Sequence, residues 1–237
     1  MVTTEVLKSV PLFSALQQDQ LGMLAACSNL RRYPRSTLIL RAGEETDGLY
    51  IMLSGRSKVL IPDDEGHEVI LAVLGPRDFF GEMGLLDDMP RSASVETLEP
   101  CELLRIGKSE FLRCLHDNFE LAMRIMRALV KRLREADRQI ESLALMDVYG
   151  RVARVLLDLS ESIDGKRVVG KAPPKQEIAR MIGASREMVS RVMKDLQQSG
   201  HIRVDKRRIM LLSDMSVSSR KIREEARSKA GVWSSKA

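Results

Sequence analysis

Residues 174–196 constrain this chain more than any other stretch. They read as two helices joined by a sharp turn. Ile178, Ala179 and Ile182 form an apolar face on the first helix, and Met188, Val189, Val192 and Leu196 recur at helical spacing and face inward on the second. Gly183 stands where the chain must reverse, and glycine reaches a positive φ there at little cost. Ser185 is placed as an N-cap, its hydroxyl able to accept an orphan backbone N–H. Arg186, Glu187, Ser190, Arg191 and Lys194 are left on the outer face. Two readings are open at this point: a solvated helical pair in a larger protein, or a reading helix that presents arginines and a glutamate to base edges.

The charge distribution weighs on that choice. From residue 166 onward there are about 18 Lys and Arg against about 7 Asp and Glu, whereas residues 1–165 hold about 20 against about 26. A basic third attached to a mildly acidic body fits a nucleic-acid module joined to something else. Length allows one large or two ordinary domains.

Other classes find little support. Cys27, Cys101 and Cys114 lack any CxxC or Cys/His metal spacing and read as buried thiols in a reducing cytoplasm. His67, His116 and His201 read as surface or turn residues. No nucleophile–base pairing, metal cluster or P-loop suggests an enzyme. Residues 1–8 lack the apolar core of a secretion signal, and no apolar run suits a bilayer. The expectation is a cytoplasmic protein without a membrane partner.

Along the chain, residues 5–26 predict one or two short helices, with a capped start at Ser14. Short β-prone runs follow at 37–40, 48–53, 57–61, 68–74, 94–97 and 102–106, with Asp63-Asp64-Glu65-Gly66 as a hairpin turn. Such spacing suggests an antiparallel roll or barrel. A long helix is expected over about 108–145. Ala122, Met126, Leu129, Leu133, Ala136, Ile140 and Leu143 alternate at spacings of four and three within it, between charged flanks. That stripe predicts a two-stranded coiled coil and hence a homodimer. Asp147 then caps a further helix to about Leu159, leaving a candidate hinge between Leu145 and Asp147. Residues 201–204 and 208–212 form a hairpin behind the two-helix motif, which makes it a winged helix.

Residues 79–95 are the other informative stretch. Gly81 and Glu82 open a short apolar helix, and Arg91-Ser92 precede a strand. Backbone N–H groups at a helix start and an arginine both suit phosphate, and a carboxylate accepts from a sugar hydroxyl. The alternatives are a phosphosugar pocket and a surface Glu82–Arg91 ion pair.

In this order the pieces resemble the CRP/FNR family of bacterial transcription regulators. The resemblance rests on Gly81-Glu82-Met83-Gly84-Leu85-Leu86 with Pro90-Arg91-Ser92-Ala93, the heptad helix, Leu145-Met146-Asp147-Val148 with Gly150-Arg151, Gln176-Glu177-Ile178-Ala179, and residues 183–191. It covers residues 8–213. It implies an α+β chain: an N-terminal cyclic-nucleotide-binding-type β-roll, a long dimerisation helix and a C-terminal winged helix-turn-helix. The expected divisions are 1–115 for the roll, 116–146 for the dimerisation helix, 147–215 for the DNA-binding domain and 216–237 for a basic, flexible tail.

The resemblance also implies site roles. Glu82 would hold the ribose 2′-hydroxyl, Arg91 and Ser92 the cyclic phosphate, Gly81 would permit close backbone approach, Met83 is counted with the ligand-binding residues, and Arg132 on the long helix would lie near the ligand. Where cyclic-AMP members carry a Thr-Ser pair that contacts adenine, this chain has Ala136-Asp137. Alanine offers no side-chain hydrogen bond and an ionised Asp only accepts. Cyclic AMP, cyclic GMP and cyclic di-GMP are all candidate effectors, as is a vestigial pocket. Arg186, Glu187 and Arg191 match the base-reading positions, so double-stranded DNA with palindromic TGTGA-like half-sites is the expected partner. Lys175, Gln176, Ser185, Ser190 and Lys194 are candidates for phosphate positioning. The loop between Ile163 and Pro173 looks about three residues shorter than in the cyclic-AMP receptor, where it contacts RNA polymerase.

Overall fold

The structure, a computed structural model, describes residues 3–63 and 68–212. Three of the four residues of the expected hairpin turn at 63–66, and the expected tail, lie outside the described residues. The chain forms two compact units, Met1–Leu133 and a second that begins at Arg134.

The first unit is a β-roll of eight strands: β1 (Ser28–Tyr33), β2 (Leu38–Leu40), β3 (Gly48–Ser54), β4 (Ser57–Pro62), β5 (Glu68–Leu74), β6 (Phe79–Phe80), β7 (Ser94–Thr97) and β8 (Cys101–Gly107). They make two sheets, ordered β1-β8-β3-β6 and β2-β7-β4-β5, with antiparallel pairings. Strand β3 explains its own unbroken apolar run. Leu49 and Ile51 join one buried cluster with Phe79, Leu104 and Ile106, whereas Tyr50 and Met52 join another with Phe80 and Leu103. A strand buried on both faces has no polar side to alternate with.

Helices close the roll: α1 (Thr4–Lys8), a 3₁₀ turn at Pro11–Phe13, α2 (Gln18–Cys27), the single turn α3 (Met83–Leu86), α4 (Lys108–His116) and the start of α5 (Phe119–Leu145). Two expectations need correction. The N-cap of α2 is Gln17, whose N–H donates to Gln20 Oε1 at 2.9 Å, while Ser14 donates to the Pro11 carbonyl instead. The helix expected over 108–145 is two helices. Asn118 breaks it, because its Oδ1 accepts from Leu121 N at 2.9 Å and caps a new start.

The second unit carries α6 (Val148–Asp158), β9 (Glu161–Ile163), β10 (Lys166–Val169), α7 (Lys175–Ile182), α8 (Arg186–Gln198), β11 (Ile202–Asp205) and β12 (Arg208–Leu211). Asp147 caps α6 by accepting from Gly150 N at 2.9 Å. The sheet order is β11-β12-β10-β9. Its core is Val152, Leu156, Ile178, Ile182, Val189, Val192, Leu196 and Ile209, among others. Met193 completes the buried stripe of α8, and Met188 is 44% exposed, contrary to the expected inward face. Residue 188 lies one position, about 100° of helix, off the 189/192/193/196 stripe. His201 is buried in the turn before β11 rather than at the surface, and His116 is exposed.

Candidate effector site and nucleic-acid interface

The roll brings the 81–92 residues together. Gly81 takes φ +84°, and a Cβ there would sit 2.4 Å from Arg91 Nη1 and 3.1 Å from the Gly48 carbonyl. Glycine is required because a guanidinium packs where a side chain would start. Arg91 is buried. Its Nη1 donates to the Gly81 carbonyl at 2.8 Å, and its Nη2 donates to Asp47 Oδ1 at 2.6 Å and to the Gly48 carbonyl at 2.9 Å. Its Nε is buried with no hydrogen-bond partner. The Arg91 guanidinium carbon lies 5.9 Å from the Tyr50 ring centroid, and Tyr50 stacks on Phe80 at 5.4 Å.

Glu82 is only 2% exposed. A carboxylate so placed needs a partner, and Arg132 of α5 supplies it: Nη1 donates to Glu82 Oε1 at 2.5 Å, and Nη2 donates to the Phe79 carbonyl. The Arg132 guanidinium carbon lies 4.7 Å from the Phe79 ring centroid. The surface ion pair between Glu82 and Arg91, considered from spacing, does not form; each has its own partner. Met83 and Ser92 are exposed beside them, with the Ser92 hydroxyl 3.6 Å from Met83 Sδ.

Sequence reasoning missed Asp47, Tyr50 and Arg105. Arg105 Nη2 lies 2.8 Å from Asp47 Oδ2, with its Nε at 2.9 Å, and the Tyr50 hydroxyl donates to Oδ2 at 3.2 Å. Burial would raise the Asp47 pKa, but the hydrogen bonds and charges of Arg105 and Arg91 outweigh it and hold the carboxyl below its ordinary 3.8. The available signal was Arg105 itself, a charge inside the apolar run 103–106.

In the second unit, Gly183 ends α7 at φ +58° and Ser185 caps α8 by accepting from Met188 N at 3.2 Å. Arg151 of α6 donates to the Ile182 carbonyl at 2.6 Å, which ties the turn down. Arg186, Glu187, Arg191 and Lys194 are exposed together with Lys175, Gln176 and Ser185. Lys175 Nζ donates to Ser190 Oγ at 2.9 Å, so those two candidates adjoin. The Glu187 carboxyl is held below its ordinary 4.5 by its own backbone N–H and by the Ser185 hydroxyl. It therefore remains an acceptor at neutral pH. The wing is pinned to the segment before α7, because Ala172 N donates to the Arg207 carbonyl at 2.7 Å.

Along α5, Leu121 and Ile125 are buried in the roll and Leu129 is partly buried against it. Met126, Leu133, Ile140 and Leu143 are exposed by 46%, 62%, 64% and 54%, and Ala136 is exposed too. Among the described residues no His/Cys/Asp/Glu group could hold a metal, and no helix is long and apolar enough to cross a membrane. A cavity of about 230 Å³ lies apart from the Arg91 cluster, between α2 and α4; Cys27 and Cys114 stand in its wall and are half-buried rather than buried as expected, whereas Cys101 is buried.

A β-roll with a buried Glu/Arg cassette and a winged helix-turn-helix define a ligand-binding domain joined to a DNA-binding one. Residues 30–118 match the cyclic nucleotide-binding domain, and residues 150–216 match the Crp-like helix-turn-helix domain. The cAMP-activated global transcriptional regulator Vfr of Pseudomonas aeruginosa is 37% identical over 189 residues, covering 77% of this chain and 88% of that protein. A CRP-like cAMP-activated global transcriptional regulator of Mycobacterium tuberculosis is 30% identical over 223 residues, covering 92% and 99%. Among solved structures, the c-di-GMP responsive global regulator CLP of Xanthomonas campestris superposes with a TM-score of 0.71 at 30% identity, covering 83% of this chain and all of that one. The chain belongs to the CRP/FNR family. That family is one of transcription regulators, not enzymes, and this member is a DNA-binding regulator with a cyclic nucleotide-binding domain.

Proposed function

We propose that the chain is a homodimeric regulator that acts in the cytoplasm, and that a cyclic nucleotide or cyclic di-GMP bound to its N-terminal half sets its affinity for a palindromic, TGTGA-like site. The observation that carries this reading is the buried cassette, in which Glu82, Gly81 and Arg91 are gathered beside Arg132 of the long helix. A helix that both lends a side chain to the cassette and displays an apolar stripe can respond to what the cassette holds. Glu82 accepts from a sugar hydroxyl, Arg91 and Ser92 hold phosphate, and Met83 and Arg132 border the ligand. Ligand binding shifts the population of helix pairings, and the segment between Leu145 and Asp147 re-aims the reading helices.

Functionally, 1–115 is the effector domain, 116–146 the dimerisation helix, 147–215 the DNA-binding domain and 216–237 an accessory basic tail. Exposed Met126, Leu133, Ile140 and Leu143 support the dimer, with Leu129 and Ala136 on the same stripe, since large apolar side chains in a helical row are costly in water. A dimer presents two α8 helices to two half-sites. Arg186 and Arg191 donate to guanine O6/N7 and Glu187 accepts from cytosine N4, while Lys175, Gln176, Ser185, Ser190 and Lys194 meet phosphates.

Fluorescence anisotropy of the full chain tests the reading. Labelled palindromic and scrambled duplexes are titrated with cyclic AMP, cyclic GMP, cyclic di-GMP or no addition. Preference for the palindrome that shifts with one nucleotide is expected. Equal binding to both duplexes refutes sequence-specific recognition. Preference unchanged by all three nucleotides refutes nucleotide control and favours a vestigial pocket.

A further inference from the structure

A guanidinium can grip an anion with two parallel N–H bonds in only two ways, end-on through Nη1 and Nη2 or side-on through Nε and Nη2. Both forks use Nη2. In Arg91 the two Nη2 hydrogens serve two acceptors, Asp47 Oδ1 at 2.6 Å and the Gly48 carbonyl at 2.9 Å. Nη1 serves the Gly81 carbonyl at 2.8 Å, and the buried Nε has no partner. Arg91 as it stands therefore offers no complete fork to a phosphate. Gly48 and Gly81 are backbone acceptors fixed by the roll. Asp47 is different: its side chain is 47% exposed, and its other oxygen already has Arg105 at 2.8 Å and the Tyr50 hydroxyl at 3.2 Å.

We propose that Asp47 is an internal counter-ion that occupies the phosphate grip of Arg91, and that an incoming phosphate displaces it onto Arg105. This rests on the reading of Arg91 as the phosphate residue. The exchange is balanced in charge. Arg91 trades one anionic oxygen for another and is never left buried and unpaired, which would be costly. Asp47 keeps Arg105 throughout. Arg105 is thus a positioning residue, which acts on the ligand only by holding Asp47 when it lets go. The affinity of the site is set lower than its cassette alone would give, by an amount tuned at residues 47 and 105, outside the 81–92 motif.

Two effects act in one direction when the carboxylate is removed. The competitor disappears, and a negative charge beside the phosphate disappears with it. The full-length wild type, Asp47→Asn, Arg105→Ala and the double variant are titrated calorimetrically with cyclic AMP, cyclic GMP and cyclic di-GMP, with circular dichroism to verify folding. Asp47→Asn is expected to bind the accepted nucleotide about tenfold tighter or more. Arg105→Ala is expected to bind it severalfold weaker, because Asp47 then rests on Arg91 alone. The double variant should match Asp47→Asn, since Arg105 acts only through Asp47. A carboxylate that merely braced Arg91 would give weaker binding in Asp47→Asn, and equal or weaker binding in that folded variant overturns the proposal while leaving nucleotide binding intact. If Asp47→Asn does not fold, Arg105→Ala decides: unchanged or tighter binding there overturns the proposal. If neither wild type nor Asp47→Asn binds any of the three, the effector reading fails and this proposal with it.

Discussion

Gly81→Ala is the sharpest single test of how the cassette is built. An alanine at φ +84° is in the left-handed region, which costs a residue with a Cβ about 1–2 kcal/mol. The new Cβ would also lie 2.4 Å from Arg91 Nη1, where real Cβ contacts essentially never fall under 3.0 Å, and 3.1 Å from the Gly48 carbonyl. The backbone carbonyl cannot give way, so Arg91 retreats by about 0.6 Å or more. That loosens the bond from its Nη1 to the Gly81 carbonyl, and a hydrogen bond to a charged group contributes about 1.5–3 kcal/mol. Together the roll should lose about 2.5–5 kcal/mol, among the larger effects of a single substitution. Urea unfolding followed by hydrogen exchange reads the two units separately. Exchange in the first unit should accelerate while that of α6, α7 and α8 is unchanged. Nucleotide affinity should fall by about 10- to 100-fold, because the retreating guanidinium misplaces the phosphate donors. A Gly81→Ala protein that exchanges and binds like wild type would show that Arg91 is not seated against residue 81.

Three further outcomes follow from the same geometry. Arg186→Ala should cost about 1–3 kcal/mol on the specific duplex and relax preference at one base position, read by competition anisotropy; unchanged discrimination removes Arg186 from the reading face. Ile140→Glu places a charge in the exposed stripe of α5 and should turn a sedimenting dimer into monomer without lowering helix content; a persistent dimer moves the interface elsewhere. The Asp47 carboxyl is held below 3.8, so its ion pairs stabilise the fold fully above that value and are lost as pH falls through the lower folded value. The stability gap between wild type and Asp47→Asn should therefore hold above about pH 4 and narrow as pH falls below 3.8, measured by urea melts, and a gap that widens there contradicts the assignment.

What could be read from sequence was whatever declared itself locally. The two-helix motif did so through apolar spacing, Gly183 and Ser185, and every one of its exposed candidates lies outside the core. Met188 shows the grain of that method, since one residue of slip along a helix carries a side chain from core to solvent. Strand β1 was missed because Asn29, Leu30, Arg31 and Arg32 are all exposed and its place is fixed by backbone pairing to β8, from Ser28 opposite Ile106 to Tyr33 opposite Cys101. Pairing of that kind leaves no periodic trace in side chains. Asn118 did carry a signal, an Asp-Asn pair ahead of a helix, but helix-forming stretches on both sides made the two helices read as one. Asp47 was beyond local reading. Its partners Arg91 and Arg105 stand 44 and 58 residues away, and only the folding of the roll brings the three together.

The division of the chain also explains why its effector is harder to name than its DNA-binding face. Gly81, Glu82, Arg91, Asp47 and Arg132 all belong to the first unit, so the residues proposed for the sugar and phosphate lie within one folded body. The positions at which the resemblance places base recognition, Ala136 and Asp137, belong to the second unit. They stand four and five residues past Arg132, about one helical turn further along α5, and both are exposed. On the proposed reading the cassette holds the phosphosugar and this one exposed turn of α5 meets the base. Substitutions at residues 136 and 137 would then change the nucleotide accepted while leaving Glu82, Arg91 and Arg132 in place. Asp47 fits the same logic, since a counter-ion on Arg91 adjusts how tightly a phosphate is held without touching the base.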